Sequence, residues 1–174
     1  MAVRPVVKMG HPVLRRPAEP VVDFHSHDLK VLIHDLWDTL EQQAGVGLAA
    51  PQIGVSLRVL VARITARQLG QSGRPLLDPM VIINPTITPL SEEQVENWEA
   101  CVSLPVLQGL VPRYRSIRVD YQDISGKPCQ LEAHDFIARL FQHECDHLEG
   151  ILYPQRMRNV RSLIYRSEFR DESQ

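Results

Sequence analysis

Residues Gln142-His143-Glu144-Cys145-Asp146-His147 form an H-E-x-x-H run, two imidazoles four positions apart with a carboxylate between them. On an α-helix, which turns about 100° per residue, His143 and His147 point the same way and can share one metal ion. Glu144 then stands close enough to handle a proton of water at that ion. The neighbours supply a phase. Phe136, Ile137, Leu140, Phe141 and Leu148 share a side with His143, Glu144 and His147, whereas Arg139, Gln142, Asp146 and Glu149 are expected to face away. Ionisable groups aimed into an apolar interior need a compensating partner, and a divalent cation supplies one. The competing reading is a partly buried helix face without a ligand. Gly150 is expected to stop the helix.

A hydrolytic metal site takes a third protein ligand and keeps one position open for water. His11, His25, His27, His34, His134, several carboxylates and the cysteines are candidates, among which Cys101 stands out. It lies in Trp98-Glu99-Ala100-Cys101-Val102-Ser103-Leu104-Pro105, expected as a short stretch between strands, where a thiolate is a strong soft ligand for iron or zinc. A buried thiol that only packs is the other reading. Cys129, expected in a turn, and Cys145, expected at the helix edge roughly opposite the ligands, read as incidental. Three cysteines, an odd count, do not outline a disulfide framework.

The organisation reads as α+β. Ser26 or Asp28 can start a helix in which Leu29, Leu32, Ile33, Leu36 and Leu40 recur at helical spacing, ending near Gly45. Residues 57–61 and 80–84 read as strands joined by a loop through Gly70, Ser72, Gly73 and Pro75. Ile117, Val119 and Tyr121 alternate as one arm of a hairpin that turns at Ser125-Gly126-Lys127 and returns through Leu131. The chain is expected to be one domain over 1–174, with about 156–174 as a C-terminal extension. There Arg156, Arg158, Arg161, Arg166 and Arg170 suit a short helix around Leu163 and a frayed, solvated tail, contact with ribosomal RNA being the alternative. Nineteen basic against twenty-one acidic residues leave a formal charge of -2, so no global field draws the chain to DNA or to a membrane surface. No apolar run has membrane-spanning length, and the N-terminus has neither a signal-peptide core nor an Arg/Ser-rich transit segment.

A third segment, Gly45-Val46-Gly47-Leu48-Ala49-Ala50-Pro51-Gln52-Ile53-Gly54, joins the other two. With all three the chain resembles the peptide deformylases, whose signatures are G-x-G-L-A-A-x-Q, E-G-C-L-S and Q-H-E-x-D-H. The first and third stand intact and in the family's order, and the second reads E-A-C-V-S. Lys8-Met9-Gly10-His11-Pro12-Val13-Leu14-Arg15 also looks like the family's opening, so the likeness runs to about Pro154.

The resemblance implies mixed or antiparallel β-sheets around a central helix carrying the H-E-x-x-H motif. It implies that Cys101, His143 and His147 are the metal ligands and Glu144 the general acid/base, with the Gln52 amide and the Val102 backbone N–H facing the oxyanion. Gly45, Val46 and Gly47 would pair with an extended peptide, Glu99 would border the methionine pocket, and Phe136 and Leu140 are candidate walls together with Val46. For these three apolar residues a plain core role is the alternative. The implied reaction removes the formyl group from N-formyl-methionine on nascent peptides in a bacterial cytoplasm, using one divalent ion. Fe(II) is the expected physiological metal, and Zn, Ni or Co can substitute. Ala100 replaces the family's usual glycine and Val102 its leucine. Alanine follows extended backbone but disfavours positive φ. Two rivals are an H-E-x-x-H peptidase, which lacks a further downstream ligand motif here, and a structural-metal module, which usually needs a fourth ligand.

Overall fold

The first helix, α1 (His27–Gln42), starts where the sequence offers a cap, with the Ser26 side chain accepting from the Leu29 N–H. Its buried stripe of Leu29, Leu32, Leu36 and Leu40 packs on the strands that follow, and the helix ends three residues before Gly45. The computed structural model describes residues 2–65 and 76–170, so the expected loop through Gly70 to Pro75 lies outside the described residues. Strand β1 (Gly47–Ala49) is the edge of a five-stranded antiparallel sheet that continues through β2 (Val59–Ile64), β3 (Leu77–Pro89), β6 (Ser116–Gln122) and β7 (Pro128–His134), in the order β1-β2-β3-β6-β7. A second sheet holds β4 (Gln94–Cys101), β5 (Leu104–Tyr114) and the two-residue β8 (Ile164–Tyr165), in the order β4-β5-β8.

Several expectations move. Strands β2 and β3 run beyond 57–61 and 80–84, because apolar burial continues to Ile64 and Leu57 instead bridges Glu19. Cys129 lies on β7 opposite Tyr121 and not in a turn. The Asp123 carboxylate accepts from the N–H groups of Ser125 and Lys127, which confines the reversal to five residues around Gly126. Cys101 ends β4, so most of the stretch expected between strands is itself a strand, and Ala100 pairs with Gln108 in extended backbone without positive φ.

The tail is not frayed over the described residues. Single 3-10 turns replace the helix expected around Leu163, and Ile164 and Tyr165 pair with Gln108 and Leu107 on the edge of β5. An edge strand has unpaired backbone groups, and a short added strand satisfies them. Phe169 then sets its ring edge-on to Trp98 at 5.2 Å.

The helix α2 (Asp135–Leu148) carries the H-E-x-x-H run and touches strands of both sheets. It is therefore covered on nearly every side, and the expectation that Arg139, Gln142 and Asp146 face away is wrong: all three are buried. Each is kept there by polar partners that only the tertiary fold provides. Gln142 bonds both backbone groups of Tyr114, Arg139 the carbonyls of Val95 and Val111, and Asp146 the guanidinium groups of Arg113 and Arg156. Only Glu149 of that set is exposed, bonded to Arg58. Cys145 sits in the apolar core, not at a helix edge, and burial pushes its thiol far above its usual value. The helix stops at Gly150, whose φ of 71° lets the Ile151 N–H reach the Asp146 carbonyl at 2.9 Å.

Candidate metal centre and substrate cleft

The β4–β5 hairpin brings Cys101 over α2, where its Sγ lies 3.3 Å from His147 Nε2. Cys101, His143 and His147 each offer a ligand atom, and these atoms all lie within 4.8 Å of one another. His143 Nδ1 hydrogen-bonds Glu99 Oε2 at 2.8 Å, which assigns the proton to Nδ1 and leaves Nε2 for a ligand. The Tyr153 ring stacks beside His143 at 6.3 Å between centroids. Burial opposes charge on Cys101, but the charge of His147 and hydrogen bonds from His143 and His147 draw its thiol well below the usual value. A soft, thiolate-prone sulfur and two imidazoles suit one borderline divalent ion, so the residues fit such a group. His11, His25, His27, His34 and His134 are all exposed and outside this cluster.

Glu144 is buried, and its Oε2 has no hydrogen-bond partner among the described residues. Burial raises its carboxyl to about 6 against the opposing charges of His143 and His147. Gly47 lets β1 come this near, because a Cβ there would stand 2.6 Å from Glu144 Oε1. The Gln52 amide has a fixed direction. The Ala49 N–H can only donate, so Oε1 must face it at 2.8 Å, and Nε2 turns to the cluster, donating to Cys101 Sγ at 3.4 Å. The Ser103 N–H also reaches Sγ at 3.4 Å, and Lys8 Nζ pins the hairpin turn through the Val102 carbonyl at 2.9 Å.

These groups meet at a cavity of about 710 Å³. Gly45, Val46 and Gly47 line it from the β1 side, and Glu99, Cys101 and Val102 from the hairpin. Gln52, Phe136, Leu140, His143 and Glu144 complete the expected set, while His147 lies behind Cys101 and is almost fully buried. Val46, Phe136 and Leu140 line the cavity and also pack on the core. Among the described residues, the edge of β1 away from β2 has no strand neighbour.

Sequence reasoning missed what Glu99 chiefly touches. Beyond lining the cavity, its carboxylate takes Arg113 Nε at 2.9 Å, Arg113 Nη2 at 3.0 Å and Arg139 Nη1 at 2.7 Å, in addition to His143. Arg113 continues to Asp146, and Asp146 to Arg156. Burial would raise the Glu99 carboxyl, yet hydrogen bonds from His143 and Arg113 hold it far below the usual carboxylate range. The buried alternation Gly109, Val111, Arg113 along β5 appears only once the strand is in place, so no signal in the sequence marked Arg113.

A helix whose two histidines meet a cysteine of the second sheet, with a glutamate on the same cavity, has the groups of a metal-dependent hydrolase. The family model for polypeptide deformylase matches residues 3–162. Peptide deformylase 1 of Nitrosomonas europaea is 44% identical over 165 residues, 94% of this chain and 92% of its own. A peptide deformylase structure from Thermus thermophilus is 46% identical with a TM-score of 0.78, covering 90% of this chain and 86% of that one. A Met-Ala-Ser-bound class I type b peptide deformylase from Acinetobacter baumannii is 34% identical with a TM-score of 0.82, covering 90% and 100%. The chain belongs to the polypeptide deformylase family, which is metal-dependent.

Proposed function

We propose that this protein hydrolyses the N-formyl group of formyl-methionine at the start of newly made polypeptides, releasing formate. The observation that carries the reading is the convergence of Cys101, His143 and His147 within 4.8 Å at a cleft that also presents Glu144. In this reading the three residues hold one divalent ion, Cys101 from the end of β4 and the two histidines from α2, the central helix of the fold. When bound, the ion supplies Lewis acidity toward water and the formyl oxygen.

The chain's own residues do the rest. Glu144, with a carboxyl near 6 and a free oxygen, accepts the proton of the attacking water and delivers it to the leaving amine. Gln52 Nε2 and the Val102 N–H face the charge that develops on oxygen. The Gly45–Gly47 segment pairs with extended peptide backbone, which reads main chain and tolerates many sequences. Val46, Phe136 and Leu140 receive the methionine side chain, and Glu99 acts mainly by orienting His143.

Fe(II) is the proposed working ion, with Zn, Ni or Co able to replace it, because this ligand set suits all four. The whole chain acts as one catalytic unit in a bacterial cytoplasm. No described helix is long and apolar enough to cross a membrane. Transient ribosome contact belongs to the same proposal, and the exposed Arg161 and Arg170 are available for it. The test measures formate released from formyl-Met-Ala-Ser and amine released from Met-Ala-Ser, with metal stoichiometry on the same sample. Cleavage of the unformylated peptide, or no formate from the metal-loaded protein, would sink the reading.

A further inference from the structure

The C-terminal segment reaches the cleft. Pairing of Ile164 and Tyr165 to β5 and the Phe169–Trp98 contact strap it along the hairpin, and Arg166, between these two anchors, lines the same cavity as the metal cluster. Its guanidinium has no hydrogen bond or ion pair among the described residues. The acid nearest in sequence, Glu168, accepts from Ser167. Two further observations mark this wall as a place where acceptors are wanted. Gln108, the register partner of Ile164, also lines the cavity, and its Nε2 is buried with no partner among the described residues. The cleft's other cations are occupied, Lys8 by the Val102 carbonyl and Arg139 by Glu99. The cleft's acids are no counterpart, since Glu99 is engaged by two arginines and a histidine, and Glu144 is buried beside His143.

We propose that Arg166, with Gln108 beside it, recognises an acidic side chain on the residues that follow the methionine of the substrate, so that the docked tail sets a preference for acidic nascent sequences. The proposal rests on the deformylase reading of the cleft. A carboxylate satisfies both donors: it pairs with the guanidinium and accepts from the Gln108 amide. Methionine itself has no such group, so the selection acts downstream of the residue that fills the apolar pocket. Because Arg166 is exposed, the effect is modest and weakens with salt.

The experiment compares formyl-Met-Ala-Asp and formyl-Met-Ala-Asn, both with amidated C-termini, so that the side chain is the only varied charge. At low ionic strength the metal-loaded enzyme is expected to favour the Asp peptide by about two- to fivefold in kcat/KM, expressed in KM. Arg166→Lys should keep the preference, and Arg166→Glu should reverse it. Arg161→Glu, the same charge change on an exposed tail residue outside the cleft, should retain it. Equal values for the two peptides in the wild type, or one ratio shared by wild type and Arg166→Glu, overturns the proposal. If neither peptide yields formate, the deformylase reading fails separately. Calorimetric binding of the unformylated Asp and Asn peptides then decides the Arg166 question, with equal affinities overturning it.

Discussion

The two sides of α2 bury the same kinds of group and treat them oppositely. Toward the β1 segment lies Glu144, with a buried carboxylate oxygen that has no partner among the described residues. Toward β5 runs the ladder Arg139–Glu99–Arg113–Asp146–Arg156, in which every carboxylate oxygen accepts at least one hydrogen bond. Leaving a buried polar atom unpaired costs about 1–3 kcal/mol, so such atoms are retained where something outside the chain completes them. The paired side is scaffold and the unpaired side is where chemistry is to be expected. His143 belongs to both, bonding the ladder through Nδ1 and offering its other nitrogen to the cluster.

The comparison breaks first at Glu144. Glu144→Gln keeps the shape but cannot carry the proton, and turnover should fall by about 10²- to 10⁴-fold with metal content unchanged. A thermal melt of the same sample should show no loss of stability, because no hydrogen bond to the unpaired oxygen is removed. Rates within a few-fold of wild type at equal metal loading would refute the assignment.

Arg113→Met attacks the other side. It strands Glu99 and Asp146 with fewer partners in a buried site, and removing one partner of a buried ion pair costs about 3–5 kcal/mol. Chemical unfolding of the two proteins measures this. A loss below about 1 kcal/mol would mean that water takes over the arginine's role and that the ladder is not scaffold.

The unpaired side was the legible one. The helical phase singles out His143, His147 and Glu144, and the resemblance carried by three short motifs adds Cys101 and Gln52 to them. The ladder has no local signature. Arg139 and Asp146 look like solvated helix positions until β4 and β5, from elsewhere in the chain, supply carbonyls and charges to meet them. Glu99 was read as bordering the methionine pocket; it lines the cavity, and its bonds to Arg113 and Arg139 depend on strand register that periodicity does not encode. The tail failed for a different reason. A two-residue strand is too short to show alternation, and Phe169 finds Trp98 only through the fold.

Metal removal tests whether the unpaired side is completed by an ion. A ligand present at a hundred times its dissociation constant stabilises the folded state by about 2.7 kcal/mol, and chelation should withdraw that amount. The fall in melting temperature should be large in wild type and much smaller in Cys101→Ser, in which a neutral hydroxyl has replaced the thiolate. Equal shifts in both proteins would place the ion elsewhere.

The smallest effect sharpens the ladder, and its sign follows from Glu99. Its folded carboxyl is held below the unfolded value, which for glutamate is about 4.3. A depressed acid contributes stability that is fully present above the unfolded value and is lost as pH falls toward the folded one. Glu99→Gln has no such proton to take up. At neutral pH the variant should be less stable by about 1.5 kcal/mol, the lower end for hydrogen bonds to a charged group, because the amide keeps the side chain's shape. Below about pH 4.3 wild type should lose stability faster than the variant, so the gap narrows. Both proteins are unfolded with urea after chelation, which keeps acid release of the ion out of the comparison. Parallel pH profiles would show that Glu99 is ionised no more readily in the fold than in the open chain, and the contrast between the two sides of α2 would then rest on packing alone.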